Sequence, residues 1–312
     1  MSAPPIFAIV GPTAAGKTRA AFELAARVGG EIISVDSRQV YRHMDVGTDK
    51  ISRAEMKIVP HHLIDVADPD EAFTAADFVR LASAAASRIA ARGKAPILAG
   101  GSPMYYKALE GKMLTDMLPR DDAVRARLEG EAKTRGVLAL HGELAEVDPI
   151  SASRIHPNDK FRILRALELF RLTGKSATSL YAEGGKIGGM NVFYFGVSLP
   201  RERLYEKIAL RVESQFRSGY PEEVKWLLDN GYSPELPSMR GFGYRELAEF
   251  LCGRATLEGA MEGDIRSTKA FSRRQMTWFK QFYPILWYDL SEITLDKAVG
   301  DMAEKISRIA AS

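Results

Sequence analysis

The chain has 312 residues, 46% of them hydrophobic and 27% charged, the make-up of a globular protein with one large or two modest domains. A net charge of only +3 excludes a globally basic wrapper of nucleic acid, so any such surface must come from local clusters. The single cysteine, Cys252, excludes an internal disulfide and a multi-cysteine zinc site, and fits a reducing cytoplasm. No apolar run approaches the ~20 residues of a membrane span. With a phosphate-loop motif beginning at Gly11, no signal peptide is expected.

In chain order, residues 6–10 (Ile-Phe-Ala-Ile-Val) form a short β-branched run that predicts a buried strand. The string Gly11-Pro12-Thr13-Ala14-Ala15-Gly16-Lys17-Thr18 follows, matching G-x-x-x-x-G-K-[ST]. Ala20, Ala21, Leu24, Ala25 and Val28 then recur at helical spacing up to Gly29-Gly30. Strand, glycine loop and helix start aim backbone N–H groups at one anion. Lys17 adds a mobile charge for the terminal phosphate, and Thr18 a hydroxyl ligand for Mg²⁺. Residues 31–35 predict a second strand ending at Asp36-Ser37, and residues 62–66 a third. An Ala-rich helix spans 75–91, and a fourth strand, 96–99, closes at Gly100-Gly101-Ser102. Alternating strands and helices predict an α/β fold with a mostly parallel sheet, whose ligands lie at the carboxyl ends of the strands. The phosphate loop, Asp36 and Gly100-Gly101-Ser102 therefore converge.

From about residue 115 the pattern turns helical, with helices predicted at 121–133, 137–146 and 158–172. Glycine pairs at 184–185 and 188–189 lead to a strand at 191–197. Helices at 201–219, 221–230, 244–252 and 257–282 precede a final strand at 285–288. Residues 1–114 and 191–312 thus read as one core, and 115–190 as a helical insertion.

On residue chemistry alone, Asp36 can bind Mg²⁺, act as a general base, or cap the following turn. Ser102 can hydrogen-bond a phosphate oxygen or cap the helix that contains Tyr105 and Tyr106. The fourth strand ends in Gly100, where an NTPase often carries a Mg²⁺-holding carboxylate; Asp65, within the predicted third strand, is a possible substitute. A loop that grips a diphosphate without that hydrolytic partner points to a transferase whose leaving group is the diphosphate. Residues 266–280 interleave Arg266, Lys269, Arg273, Arg274 and Lys280 with Phe271, Trp278 and Phe279. That pattern fits either single-stranded nucleic acid or a solvated helix face over core aromatics. The five histidines show no metal-ligand spacing.

Several blocks, in order along nearly the whole chain, resemble the bacterial tRNA dimethylallyltransferase family. They are the phosphate loop; Asp36-Ser37-Arg38-Gln39-Val40-Tyr41 through Gly47-Thr48; Arg154-Ile155-His156-Pro157-Asn158-Asp159 with Arg162 and Arg165; Gly241-Phe242-Gly243-Tyr244-Arg245-Glu246; and Arg273-Arg274-Gln275-Met276-Thr277-Trp278-Phe279-Lys280. The resemblance implies a P-loop nucleoside-triphosphate-hydrolase-like core with an all-helical tRNA-gripping insertion. It implies transfer of a dimethylallyl group from dimethylallyl diphosphate to N6 of the adenosine 3′ to the anticodon, with Mg²⁺. It further implies diphosphate held by Gly11 to Thr18, metal at Thr18, and catalysis by Asp36 as base with Lys17 and Ser102. The tRNA-facing positions it implies are Asp36, Ser37, Arg38, Gln39, Ser102, Arg125, Lys160, Phe161, Arg162, Ile163, Leu164, Arg165, Arg240, Gly243, Tyr244, Arg245, Arg273, Arg274, Gln275 and Lys280. A cytoplasmic monomer bound to the tRNA anticodon stem-loop, with no membrane partner, is expected. Three departures stand out: Ser102 where Thr is usual, Asp49-Lys50-Ile51 in place of Ala-Lys-Pro, and Lys269-Ala270 in place of Arg-Gln. Related activities that share the loop are prenylation of free AMP or ADP and phosphorylation of a small metabolite.

Overall fold

The computed structural model describes residues 5–111, 118, 120–184, 190–282 and 284–310. The chain divides into two compact units, residues 1–73, 77–106 and 191–312 forming one, and 74–76 with 107–190 the other. The expected boundary at 114/115 lies outside the described residues.

β1 (Ile6–Val10), α1 (Lys17–Val28), β2 (Glu31–Ser34), α2 (Arg53–Ile58), β3 (His61–His62), α3 (Ala75–Ala91), β4 (Pro96–Ala99) and α4 (Pro103–Leu109) follow one another in the larger unit, except that residues 75–76 of α3 and 107–109 of α4 belong to the smaller one. In the smaller unit come α5 (Asp122–Arg135), α6 (Val137–Val147), α7 (Pro149–Arg154), α8 (Lys160–Thr173) and α9 (Ala177–Gly184). The chain returns to the larger unit with β5 (Val192–Ser198), α10 (Arg201–Arg217), α11 (Tyr220–Asp229), α12 (Tyr244–Leu251), α13 (Leu257–Phe279), β6 (Ile285–Asp289) and α14 (Leu295–Ala310).

The strands make one parallel sheet in the order β3-β2-β4-β1-β5-β6. Strands buried on both faces read as continuous apolar runs, and all of β1 is buried. Register decides where the site forms. Ser34 pairs with Ala99, and Ala99 with Ile9. The segments leaving β2, β4 and β1 therefore start within a residue or two of one edge. Those segments carry Asp36, Gly100-Gly101-Ser102 and the phosphate loop.

Two expectations are corrected, and one helix is added. The third strand stops at His62, because Leu63 and Asp65 adopt φ of 63° and 56°, left-handed values no strand accommodates. The long helix expected to reach 282 ends at Phe279. Helix α14 went unforeseen; Val299, Met302 and Ile306 seat it in the same core as Leu24 and Ala25.

The smaller unit has a core of its own, built on Leu128, Leu140, Leu144, Ile163, Leu164 and Leu167. Its helices are capped by side chains that precede apolar turns. Asp121 accepts the N–H groups of Ala123 and Val124, and Asp159 accepts that of Arg162.

Candidate active site

The phosphate loop leaves β1 and enters α1 through Gly16, whose φ of 100° is open to glycine at little cost. Gly16 has no side chain to cap α1, so the first-turn N–H groups are left to a ligand, at the helix end where anions are favoured. Lys17 folds back and donates from Nζ to the Pro12 carbonyl at 2.7 Å. Removal from water, with Arg211 adding repulsion against the pull of Asp36 and Asp49, lowers the Lys17 pKa to about 7. A diphosphate seated here meets an ammonium poised near neutrality.

Asp36 follows β2. Its Oδ1 accepts the backbone N–H of Arg38 at 2.8 Å and of Gln39 at 3.4 Å. Oδ2 has no hydrogen-bond partner among the described residues. Capping and chemistry are therefore not alternatives: one oxygen fixes the turn and the other is left for a ligand. Ser102 Oγ accepts the Ser37 N–H at 3.3 Å, tying the β4 exit to the β2 exit. Gln39 accepts from Ser34 Oγ at 2.9 Å and donates to the Thr48 carbonyl at 3.2 Å.

These groups line one cavity of about 510 Å³. Its lining brings together Thr13, Lys17 and Thr18, Asp36 to Gln39, and Gly100 to Ser102 with Gln275. Lys207 and Arg211, four residues apart on α10, also line it, and the sequence reading missed both. Arg211 reaches Asp49 at 3.6 Å, while its buried Nε has no hydrogen-bond partner among the described residues. The only signal was a basic pair one helical turn apart, common on solvated faces. Asp65, considered as a metal ligand, instead pairs with Lys50 at 2.7 Å.

The expected RNA-facing residues separate by burial. Arg245, Arg273, Arg274 and Lys280 are exposed; Arg240 is exposed too and paired with Glu235 at 2.6 Å. Phe161 and Arg162 are exposed on α8, and Lys160 is half-buried. Arg125 lies 5.1 Å from the Phe161 ring centroid, while Arg165 is held by Glu168 and the Leu118 carbonyl, both at 3.0 Å. Four positions are corrected. Ile163 and Leu164 are core of the smaller unit, because a helix cannot present every residue of a continuous block to one ligand. Tyr244 is buried with its hydroxyl donating to Glu223 at 2.7 Å. Gln275 is buried and bonded to two backbone groups. Arg38 is not one of the four: half-buried, it lines the cavity, donates to the Ser238 carbonyl at 2.7 Å and lies over Phe242.

Fold and site together define a P-loop α/β protein whose phosphate cradle shares a cavity with a carboxylate. The IPP transferase family model matches residues 39–282, and the chain belongs to that family. A tRNA dimethylallyltransferase of Roseiflexus sp. is 46% identical over 306 residues, covering 98% of this chain and 97% of its own. One of Thermomicrobium roseum is 43% identical over 92% of this chain and 87% of its own. The crystal structure of the full-length tRNA isopentenylpyrophosphate transferase of Bacillus halodurans superimposes with a TM-score of 0.73 at 38% identity, covering 99% of this chain and 97% of that one. A eukaryotic dimethylallyltransferase caught acting on tRNA gives a TM-score of 0.82 at 27% identity, covering 98% and 79%.

Proposed function

We propose that this protein transfers the dimethylallyl group of dimethylallyl diphosphate to N6 of the adenosine 3′-adjacent to the anticodon of tRNA, releasing diphosphate. The observation that carries the reading is that one cavity is lined by both the phosphate loop and Asp36, a carboxylate with only one oxygen spent on its turn. The bond between the allylic carbon and the diphosphate oxygen breaks, and its electron pair leaves with the diphosphate. N6 of adenine forms the new C–N bond and gives its proton to Asp36 Oδ2. First-turn N–H groups of α1, with Lys17, stabilise the charge growing on the leaving group. An adenine stacked in the anticodon loop cannot enter such a cavity, so the base is flipped out.

The donor set fits Mg²⁺. This cation favours one or two carboxylates plus substrate phosphates over an all-protein cage. No group of three acidic, His or Cys side chains suited to a metal occurs among the described residues, while the Thr18 hydroxyl and the carboxylates of Asp36 and Asp49 border the cavity. With the diphosphate, Thr18 and Asp49 would hold the ion, which would supply further charge neutralisation at the leaving oxygens and leave Asp36 Oδ2 free as the base. The exposed cations of α8 and α13 fit the phosphates of an anticodon stem-loop. No helix among the described residues is long and apolar enough to cross a membrane, and a cytoplasmic monomer suits the reading.

The test is transfer of labelled dimethylallyl groups to an unmodified anticodon stem-loop or to free AMP, with Asp36→Asn alongside. Asparagine keeps the Oδ1 cap and removes the base, so folding is preserved and transfer to the stem-loop falls by about 10²–10⁴-fold. Label on AMP alone, or full activity in Asp36→Asn, would overturn the assignment.

A further inference from the structure

We propose that Gln275 is a positioning residue that sets the spacing between the phosphate loop and the acceptor side of the cavity, and is not an RNA contact. The proposal rests on the reading above, in which the phosphate loop holds an allylic diphosphate.

Gln275 sits in the middle of the basic block of α13, where its flanking Arg273 and Arg274 are exposed. It is itself only 3% exposed. With Thr268, Ser272 and Phe279 it forms the buried stripe of α13, the helical spacing of an inward face. Both ends of its amide are used by backbone groups from different segments. Oε1 accepts the Thr13 N–H of the phosphate loop at 2.8 Å, and Nε2 donates to the Gly101 carbonyl after β4 at 2.6 Å. A Cβ at Gly101 would lie 2.2 Å from Nε2, so glycine there is what lets the amide reach. The side chain is a crossbar joining the loop that grips the leaving group to the segment that carries Ser102.

Two consequences follow. The Thr13 N–H is held by protein, so the anion cradle is formed by the amides after it. The crossbar also fixes how far the leaving group stands from Asp36, because Ser102 is bonded to the Asp36 turn through Ser37. Glutamine is demanded by its pairing of one acceptor with one donor: removing the donor leaves the buried Gly101 carbonyl unmet, and removing the acceptor releases the half-buried Thr13 N–H from its fixed position.

The test uses the full chain carrying Gln275→Met, which keeps the length without the amide, and Gln275→Glu, which keeps the acceptor for Thr13 but not the donor for Gly101. Inorganic pyrophosphate with Mg²⁺ is titrated calorimetrically, stem-loop RNA is titrated by fluorescence anisotropy without diphosphate, and KM for dimethylallyl diphosphate is measured. Pyrophosphate affinity is expected to fall, and the allylic KM to rise, by about ten-fold in both variants. Stem-loop affinity should stay within about two-fold, since the exposed cations are untouched. Unchanged pyrophosphate binding, or a loss of stem-loop affinity of about five-fold or more in either variant, overturns the proposal. Hydrogen exchange on the wild type gives an answer that needs no variant. The Thr13 amide should be protected before ligand is added, and fast exchange there sinks the crossbar. Absence of prenyl transfer by the wild type would remove the functional reading while the pyrophosphate arm still reports on Gln275.

Discussion

The carboxylate of Glu223 receives the backbone N–H of Val46 at 2.6 Å. It also receives those of Asp45 at 2.7 Å and Gly47 at 3.1 Å, and the Tyr244 hydroxyl at 2.7 Å. One side chain on α11 thus anchors the loop that supplies Gly47, Thr48 and Asp49 to the cavity wall. Gln215 helps from α10 by donating to the Val46 carbonyl at 2.9 Å, and Tyr220 fills the space beside Gly47.

Hydrogen bonds to a charged acceptor are among the stronger ones, and donors left unmet are costly. Glu223→Ala should therefore destabilise the protein by roughly 2–4 kcal/mol in urea unfolding, and Glu223→Gln by about half of that. A loss below about 0.5 kcal/mol for the alanine variant would show that apolar packing alone holds the loop.

Lys17 makes the site pH-sensitive. Its pKa is about 7 in the folded chain against 10.5 ordinarily. The unfolded chain thus binds more protons across that interval, and this group's contribution makes stability rise with pH from about 7 to about 10.5. Ligand binding runs the other way. A diphosphate favours the ammonium, so affinity for dimethylallyl diphosphate should fall as pH rises above about 7, with uptake of about one proton per site at pH 8. Calorimetry in buffers of different ionisation enthalpy measures that uptake. Lys17→Met should abolish it, and equal uptake in both proteins would place the proton elsewhere.

The parts of the site legible in the sequence were those in which a local string carries its own geometry. The glycine loop between an apolar strand and a helix is one, and Asp36 directly after a strand is another. Residues that act across the fold were not legible. Glu223 is bonded to backbone N–H groups 176 to 178 positions earlier, and Gln275 to one 262 positions away; neither connection leaves a local pattern. Gln275 was hidden further by its neighbours, since a basic run gives no sign that one member points inward until the helical phase is fixed by Ser272 and Phe279. The third strand failed for the opposite reason. Its β-branched composition suits a strand, but Lys50 pairs with Asp65 in a turn, and that tertiary contact outweighs propensity.

Phe161 offers the sharpest test of the smaller unit. It is 70% exposed, an unfavourable place for a large apolar ring. The Arg125 guanidinium lies 5.1 Å from its centroid, while Arg162 beside it pairs with Asp159 at 2.9 Å. A ring held flat under a cation at the surface offers a face on which an unstacked base can lie, and such stacking is worth about 1–3 kcal/mol per base. Phe161→Ala should weaken stem-loop binding by roughly 5- to 30-fold without changing its salt dependence, because no charge is lost. Arg162→Ala should lower the salt slope by about one while costing less affinity at high salt. Neither change should move the melting temperature by more than about 2 °C, since both side chains stand outside the core. Unaltered RNA affinity in Phe161→Ala would mean that the exposed ring serves only to shield Arg125, and that α8 meets RNA through charge alone.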